Sequence, residues 1–208
     1  LTTIQSSNEL ISMYIDATEG PTDQKLSKHV GRIRSELERL NSLLKDVFTL
    51  GRLDVGKTKL NKDFTSLVNI VKQVISEVKV PYPGRNVQLI IKGKEVQVSL
   101  DSQLISHALS NLVINALKYS EGKGDPSVII DFQEDKVSMY IKDNGIGIPK
   151  KDQKELFESF SRASNVGDIE VTGLGLVIVK EFIEMHEGEI SLKSDKGKGS
   201  EFKVNIPL

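Results

Sequence analysis

Seven apolar residues, Leu26, Val30, Ile33, Leu37, Leu40, Leu44 and Val47, succeed one another at 4-3-4-3-4-3 spacing with charged residues between them, and beyond Leu53 the pattern stops. That spacing keeps one apolar seam along a helix and predicts coiled-coil or bundle packing. A shorter helical stretch precedes it, with Ile4, Leu10, Ile11, Tyr14 and Ile15 inward. Gly20 and Pro21 read as helix stop and turn between the two, with Thr22 or Asp23 as the cap of the second. The expected product is a helical hairpin over residues 1–54. Two helices bury little alone, so a homodimer forming a four-helix bundle is the expected way to cover the seam.

The rest of the chain obeys a different rule. Asp54-Val55-Gly56-Lys57 reads as a short polar linker, and residues 55–208 alternate between strand and helix patterns. A strand is expected near Lys57 to Asn61, a helix over Ser66 to Val80, and strands over Val87 to Lys92 and Glu95 to Ser99. A long helix from Asp101 to Tyr119 precedes a hairpin of Ser127 to Gln133 with Lys136 to Lys142. Helix Leu174 to Glu187 and a hairpin of Glu189 to Ser194 with Ser200 to Ile206 close the chain. Hairpins outside a strand-helix-strand repeat argue for an α+β sandwich over a doubly wound sheet.

Composition excludes some partners. The 208 residues carry 28 basic and 29 acidic side chains, a formal net charge of −1, which offers no electrostatic case for nucleic acid. There is no cysteine, hence no disulfide and no thiolate metal site, which suits a cytoplasmic location. The apolar runs are too short to span a bilayer, and no signal-peptide pattern opens the sequence.

Three blocks carry the chemistry: NLVINALKYS (Asn111 to Ser120), DNGIGIP (Asp143 to Pro149) and GLGL (Gly173 to Leu176). Asn111 and Asn115 are four apart and share a helix face, with Lys118 close to it. An asparagine carbonyl is a hard oxygen ligand suited to Mg²⁺. Asp143 ends an expected strand, where Gly145 and Gly147 let backbone approach a ligand closely. Gly173 and Gly175 open an apolar helix, whose free N–H groups and dipole favour phosphate. The Walker pattern is absent, and so is the third glycine of a dinucleotide-binding turn. A nucleotide with its metal is the ligand these parts fit.

Order and spacing of these blocks, with LFESF (Leu156 to Phe160) between the second and third, resemble the sensor histidine kinases, within the superfamily that includes gyrase, the Hsp90 chaperones and MutL. The resemblance covers nearly all of the chain. It implies a Bergerat-type ATP-binding sandwich, a mixed sheet with helices on one face, placed after a dimerisation and phosphotransfer hairpin. By that likeness Asn115 ligates Mg²⁺, Lys118 and Tyr119 lie near the phosphates of ATP, and Asp143 accepts from the adenine amino group. Gly145, Gly147, Ile148, Gly173, Leu174, Gly175 and Leu176 line the nucleotide. Residues between Ser161 and Thr172 form a lid, anchored by Phe157 and Phe160, and Arg162 steadies the γ-phosphate. Asn111 stands where the ATP-hydrolysing relatives carry a glutamate base, and an amide cannot serve as one.

The resemblance further implies autophosphorylation of a histidine, then transfer to the aspartate of a response regulator receiver domain. Structural roles are expected for His29, His107 and His186. The opening LTTIQSSNEL resembles the stretch just C-terminal to the family's acceptor motif, HEFRTPL, so the acceptor is expected upstream of Leu1. Membrane attachment of the full protein is implied as well. The rival readings are a gyrase-, Hsp90- or MutL-type ATPase and an ATP-binding dimerisation scaffold without transfer.

Overall fold

The computed structural model describes residues 60–166 and 172–208 and, of the first 59, residues 6, 8–13, 30, 31, 33, 34, 36, 37, 40, 41, 43, 44, 46–48 and 51. The chain divides into two compact units, Leu1–Asp54 and Val55–Leu208. In the first, described residues from 8 to 13 and from 30 to 51 are helical. Val30 and Leu37 are buried, whereas Ile33, Leu40, Leu44 and Val47 are exposed. The buried amide of Asn8 donates to the Val30 carbonyl at 3.1 Å. The expected turn at Gly20-Pro21 with its caps Thr22 and Asp23, the seam residues Ile4, Tyr14, Ile15 and Leu26, His29 and the linker from Asp54 to Lys57 lie outside the described residues.

The second unit is an α+β sandwich. Its elements are β1 (Asp63–Thr65), α1 (Leu67–Val78), β2 (Gln88–Lys92), β3 (Val98–Leu100), α2 (Ser102–Tyr119), β4 (Ser127–Phe132), β5 (Lys136–Asp143), α3 (Gly175–Met185), β6 (Glu189–Asp195) and β7 (Gly199–Pro207). Five strands make one mixed sheet in the order β2-β4-β5-β7-β6, and β1 with β3 makes a separate antiparallel ribbon. β2 runs parallel to β4, and the other pairs of the large sheet are antiparallel.

Alternation in the strands decides which face is buried. Ile130, Met139 and Val204 stand opposite one another across β4, β5 and β7, and all three are fully buried. Their neighbours at two-residue steps, Val128, Phe132, Val137, Ile141, Phe202 and Ile206, are buried too, as period-two side-chain direction requires. The helices cover this face. α2 buries Ile105, Ala108, Leu109, Leu112, Val113, Ala116 and Leu117, an i, i+3, i+4 stripe, and it packs against β5 and between α1 and α3. Truncating Met139, at the centre of this layer, to alanine would cost about 2–5 kcal/mol.

Caps fix where the helices start. Ser66 accepts from the Asn69 N–H at the start of α1. Asp101 does more: one carboxylate oxygen accepts from Gln103 and Leu104 N–H, the other from the Asn61 N–H. This corrects the expected first strand. Residues 57–59 lie outside the described residues, Leu60 and Asn61 are not in strand, with the Asn61 N–H held by the helix cap, and ladder pairing begins two residues later at Asp63 opposite Leu100.

Candidate nucleotide site

Helix α2, the loop after β5 and the start of α3 meet at one place. α2 ends at Tyr119, whose carbonyl accepts from the Ile146 N–H at 3.1 Å. Gly145 lies so close that a Cβ there would stand 2.2 Å from the same oxygen. Farther back along α2, the Asn111 Oδ1 lies 3.4 Å from the point a Cβ on Gly175 would occupy. The three blocks of the sequence are therefore neighbours in space.

Asp143 is the last residue of β5, opposite Ser200 of β7, and is 5% exposed. Burial pushes its carboxyl above the ordinary value of 3.8, while hydrogen bonds from the Gly145 and Ser200 backbone pull the other way. The bond from Gly145 N–H to Oδ1 is 2.7 Å. Desolvation dominates, so the fold holds this carboxylate at a cost. Gly147 has φ of +61°, and a Cβ there would stand 2.0 Å from the Asp195 carbonyl. No residue with a side chain fits that contact. Ile148 N–H donates to Ser194 Oγ at 2.9 Å, which seats the end of the loop on β6.

The third block is seated on the chain before it. Phe160 N–H donates to the Gly173 carbonyl at 3.0 Å, and Gly173, with φ of +73°, approaches the Phe160 backbone so closely that a Cβ would lie 2.8 Å from it. Phe160 itself has φ of +63° and is 70% exposed, so its backbone and not its ring makes the join. Leu174 is buried, and its N–H donates to Thr172 Oγ1. Gly175 and Leu176 open α3, where first-turn N–H groups lack intrahelical partners.

Asn115 lies one turn beyond Asn111 on α2 and is half-buried, as are Lys118 and Tyr119. Burial raises the Tyr119 phenol above its ordinary value, and the charge of Arg162 opposes that shift, which brings Arg162 near Tyr119. Of the expected lid, residues 161–166 and Thr172 are described, and residues 167–171 lie outside the description.

Nucleotide and metal fit this arrangement. Among the described residues, two buried side-chain polar atoms have no hydrogen-bond partner, Asn111 Nδ2 and Asn165 Oδ1, and both border the glycine blocks. Buried orphans are uncommon in folded proteins and call for a partner. The described residues contain no group of three or more histidine, cysteine or acidic side chains able to hold a metal. Mg²⁺ needs none, because it binds through one or two protein oxygens together with substrate phosphates, and the amide oxygens of Asn111 and Asn115 are oxygens of that kind.

Two contributors, Ser200 and Arg85, escape a sequence reading, whereas His186 and His107 take the structural roles expected of them. Ser200 joins Asp143 through its backbone, and the signal for it was a second close-spaced glycine pair, Gly197 and Gly199. At Gly199 a Cβ would stand 2.1 Å from the Asp143 carbonyl oxygen. Arg85 reaches the C-terminal end of α2, donating to the carbonyls of Leu117, Ser120 and Gly124 and to Ser120 Oγ, and pairs with Asp125 at 3.4 Å. His186 is 1% exposed. Its Nε2 accepts from Asp101 N–H at 2.9 Å and its Nδ1 donates to the Phe182 carbonyl at 2.7 Å, a structural role. The His107 ring lies 5.6 Å from that of Phe182.

Comparison with known proteins agrees with this geometry. Residues 100–208, just over half of the chain, match the family described as histidine kinase-, DNA gyrase B-, and HSP90-like ATPase. The sensor histidine kinase WalK of Bacillus subtilis is 32% identical over 180 residues, covering 84% of this chain and 29% of that protein. The chain thus spans under a third of that relative's length. Two solved structures share the fold at 22% identity. The Acinetobacter baumannii histidine kinase AdeS, covering 100% of this chain and 94% of its own, gives a TM-score of 0.66. Full-length ShkA in complex with AMPPNP, covering 99% and 45%, gives 0.74. With the three motif blocks adjoining one another and the family match running through all of them, this chain belongs to the histidine kinase-, gyrase B- and HSP90-like ATPases, as the ATPase domain of a sensor histidine kinase.

Proposed function

We propose that residues 55–208 bind Mg·ATP and deliver its γ-phosphoryl group to a histidine, from which a response regulator aspartate takes it. The observation that carries this reading is Asn111 at the mouth of the Gly175 helix. An amide there can orient but cannot take a proton from water, so the phosphoryl group is kept for transfer. Asp143 would fix the adenine amino group, and the Asn115 carbonyl would hold the metal. Bound Mg²⁺ supplies charge neutralisation on the phosphates. Lys118 and Arg162 add cationic support to a loose, charge-spread transition state, for which positioning does most of the catalysis. N–H groups at the start of α3 take phosphate oxygens. That ShkA, which shares this fold, is described with AMPPNP supports a nucleotide in the same cleft.

Residues 1–54 are proposed as the dimerisation hairpin. The bond from Asn8 to Val30 supports antiparallel helices, and the exposed Ile33, Leu40, Leu44 and Val47 support a second copy covering the seam. Neither His186, occupied at both nitrogens, nor His107, against Phe182, suits a phosphate acceptor, so the acceptor is proposed in an HEFRTPL-type segment ahead of Leu1. No helix among the described residues is long and apolar enough to cross a membrane. A cytoplasmic location with membrane attachment elsewhere in the protein is the proposed setting.

Incubation of this chain, and of a longer form carrying that segment, with γ-labelled ATP and Mg²⁺ tests the proposal. Acid-labile label on the longer form alone is the expected result. Brisk phosphate release with no label would replace it with an ATPase, and neither label nor release would leave a nucleotide-binding scaffold.

A further inference from the structure

The two edges of the five-stranded sheet are finished differently. At one edge stands β6, whose open-face side chains are Glu189, Ser191, Lys193 and Asp195. The loop after β5 is seated on it, through Ile148 N–H to Ser194 Oγ and Gln153 Nε2 to the Ser194 carbonyl. Charge and cover of this kind keep an edge from pairing. At the other edge stands β2, with the sequence QLIIK from Gln88 to Lys92. It carries no proline, its register with β4 is unbroken, and Ile90 and Ile91 at its middle are both exposed.

Backbone direction fixes what β2 can accept. Gln88 N–H donates to the Pro126 carbonyl beside β4, so Gln88, Ile90 and Lys92 turn their backbone groups toward β4. By the alternation of a strand, Leu89 and Ile91 turn theirs outward, and no strand among the described residues pairs along that side. Side chains alternate as well. Leu89 and Ile91 stand opposite the buried Val128 and Ile130 on the helix-covered face, whereas Ile90 lies on the open face in one row with Ile129 and Tyr140.

This pattern is complementary to itself. Laid antiparallel about Ile90, β2 of a second copy sets Leu89 opposite Ile91 and Ile91 opposite Leu89, as hydrogen-bonded pairs that use every outward backbone group. Ile90 meets its own equivalent as the close, non-bonded pair. Lys92 falls opposite Gln88, so no like charges face each other. The two-fold axis stands perpendicular to the sheet, which puts both helix layers on one side and joins the two rows of Ile90, Ile129 and Tyr140 on the other. A second copy supplies all of these pairs by symmetry.

We propose that β2 is a self-association edge, at which two copies of this chain join their five-stranded sheets through an antiparallel β2–β2 pair. The proposal is independent of the nucleotide reading and of the helical seam in residues 1–54. The chain has no cysteine, so a single one reports its own neighbour. In Ile90→Cys two thiols would face each other at a separation a disulfide spans, and mild oxidation should link copies about tenfold or more faster than in Val80→Cys, where the side chain is exposed but off the edge.

Hydrogen exchange tests the unaltered edge. The Leu89 and Ile91 amides should be protected in the wild type. Ile90→Lys sets two ammonium groups face to face and should quicken their exchange about tenfold or more, with exchange at Met139 in the middle of the sheet unchanged. Linkage no faster than in Val80→Cys, with Leu89 and Ile91 unprotected in the wild type, would overturn the proposal. Protection that survives Ile90→Lys, without linkage in Ile90→Cys, would overturn it too, by showing that something other than a second β2 covers the edge.

Discussion

Asn111 Oδ1 lies 3.4 Å from the place where a Cβ on Gly175 would stand, so a side chain from the middle of α2 faces the backbone that opens α3. That distance is ordinary van der Waals contact, and the Gly175 φ is not in the left-handed region, so Gly175→Ala should fold with its stability unchanged or slightly raised. The added methyl nevertheless stands against Asn111 at the opening of α3, where phosphate is proposed to bind. ATP affinity should fall about tenfold, measured by titration calorimetry alongside a melting curve. Gly173→Ala should differ, because a φ of +73° and the Phe160 backbone at 2.8 Å make it destabilising by about 1–3 kcal/mol.

Metal dependence isolates Asn115. If its carbonyl ligates Mg²⁺, Asn115→Ala should weaken binding of ATP with Mg²⁺ about tenfold or more and leave binding in a chelator nearly untouched. Equal losses under the two conditions would remove Asn115 from the metal's shell.

Arg85 tests whether the end of α2 has to be held. Its guanidinium joins carbonyls from Leu117 to Gly124 around the turn that sets the Tyr119 carbonyl against Ile146. Arg85→Ala should cost about 2 kcal/mol of stability and lower ATP affinity as well. Arg85→Lys should recover only part of either, since an ammonium lacks the planar fork that reaches several acceptors at once. Denaturant melts and nucleotide titrations of both variants check this.

Acid stability should report His186. Burial holds its pKa below the ordinary 6.5, and its neutral Nε2 accepts from Asp101. Below 6.5 the unfolded chain takes up a proton that the folded ring refuses, so stability is full above that value and falls as pH drops from it toward the depressed folded value. Melting temperature measured from pH 8 to pH 5 should decline over this window. His186→Gln should flatten that decline while lowering stability at pH 8.

Local chemistry made much of this molecule legible in its sequence. Most strands and helices of residues 66–207 fall where alternation, apolar stripes and caps such as Ser66 and Asp101 indicate, although the strand expected over Glu95 to Ser99 forms only at Val98–Leu100, and the glycine blocks announced the places where backbone meets backbone. What stayed hidden depends on partners far apart in the chain. His186 and Asp101 are 85 residues apart, and nothing local to either shows that a buried ring will receive a helix-cap N–H. The parallel pairing of β2 with β4 likewise comes from how α2 crosses between them, since both strands carry patterns that would pair equally well with others. Asn61 illustrates the reverse error: its neighbourhood reads as strand, yet the Asp101 carboxylate claims its N–H.

Whether nucleotide sits on Asp143 is tested most directly by calorimetric titration of Mg·ATP into the wild-type chain and into Asp143→Ala, over a range of pH. Binding by the wild type is expected, with a loss of about tenfold or more in Asp143→Ala while the fold stays intact. Wild-type affinity should begin to fail on acidification above pH 3.8, because burial raises this carboxyl's pKa and its protonated form cannot accept from the adenine amino group in the same way. Equal affinity in the two proteins, with the same pH profile, would contradict the assignment and move the nucleotide away from Asp143.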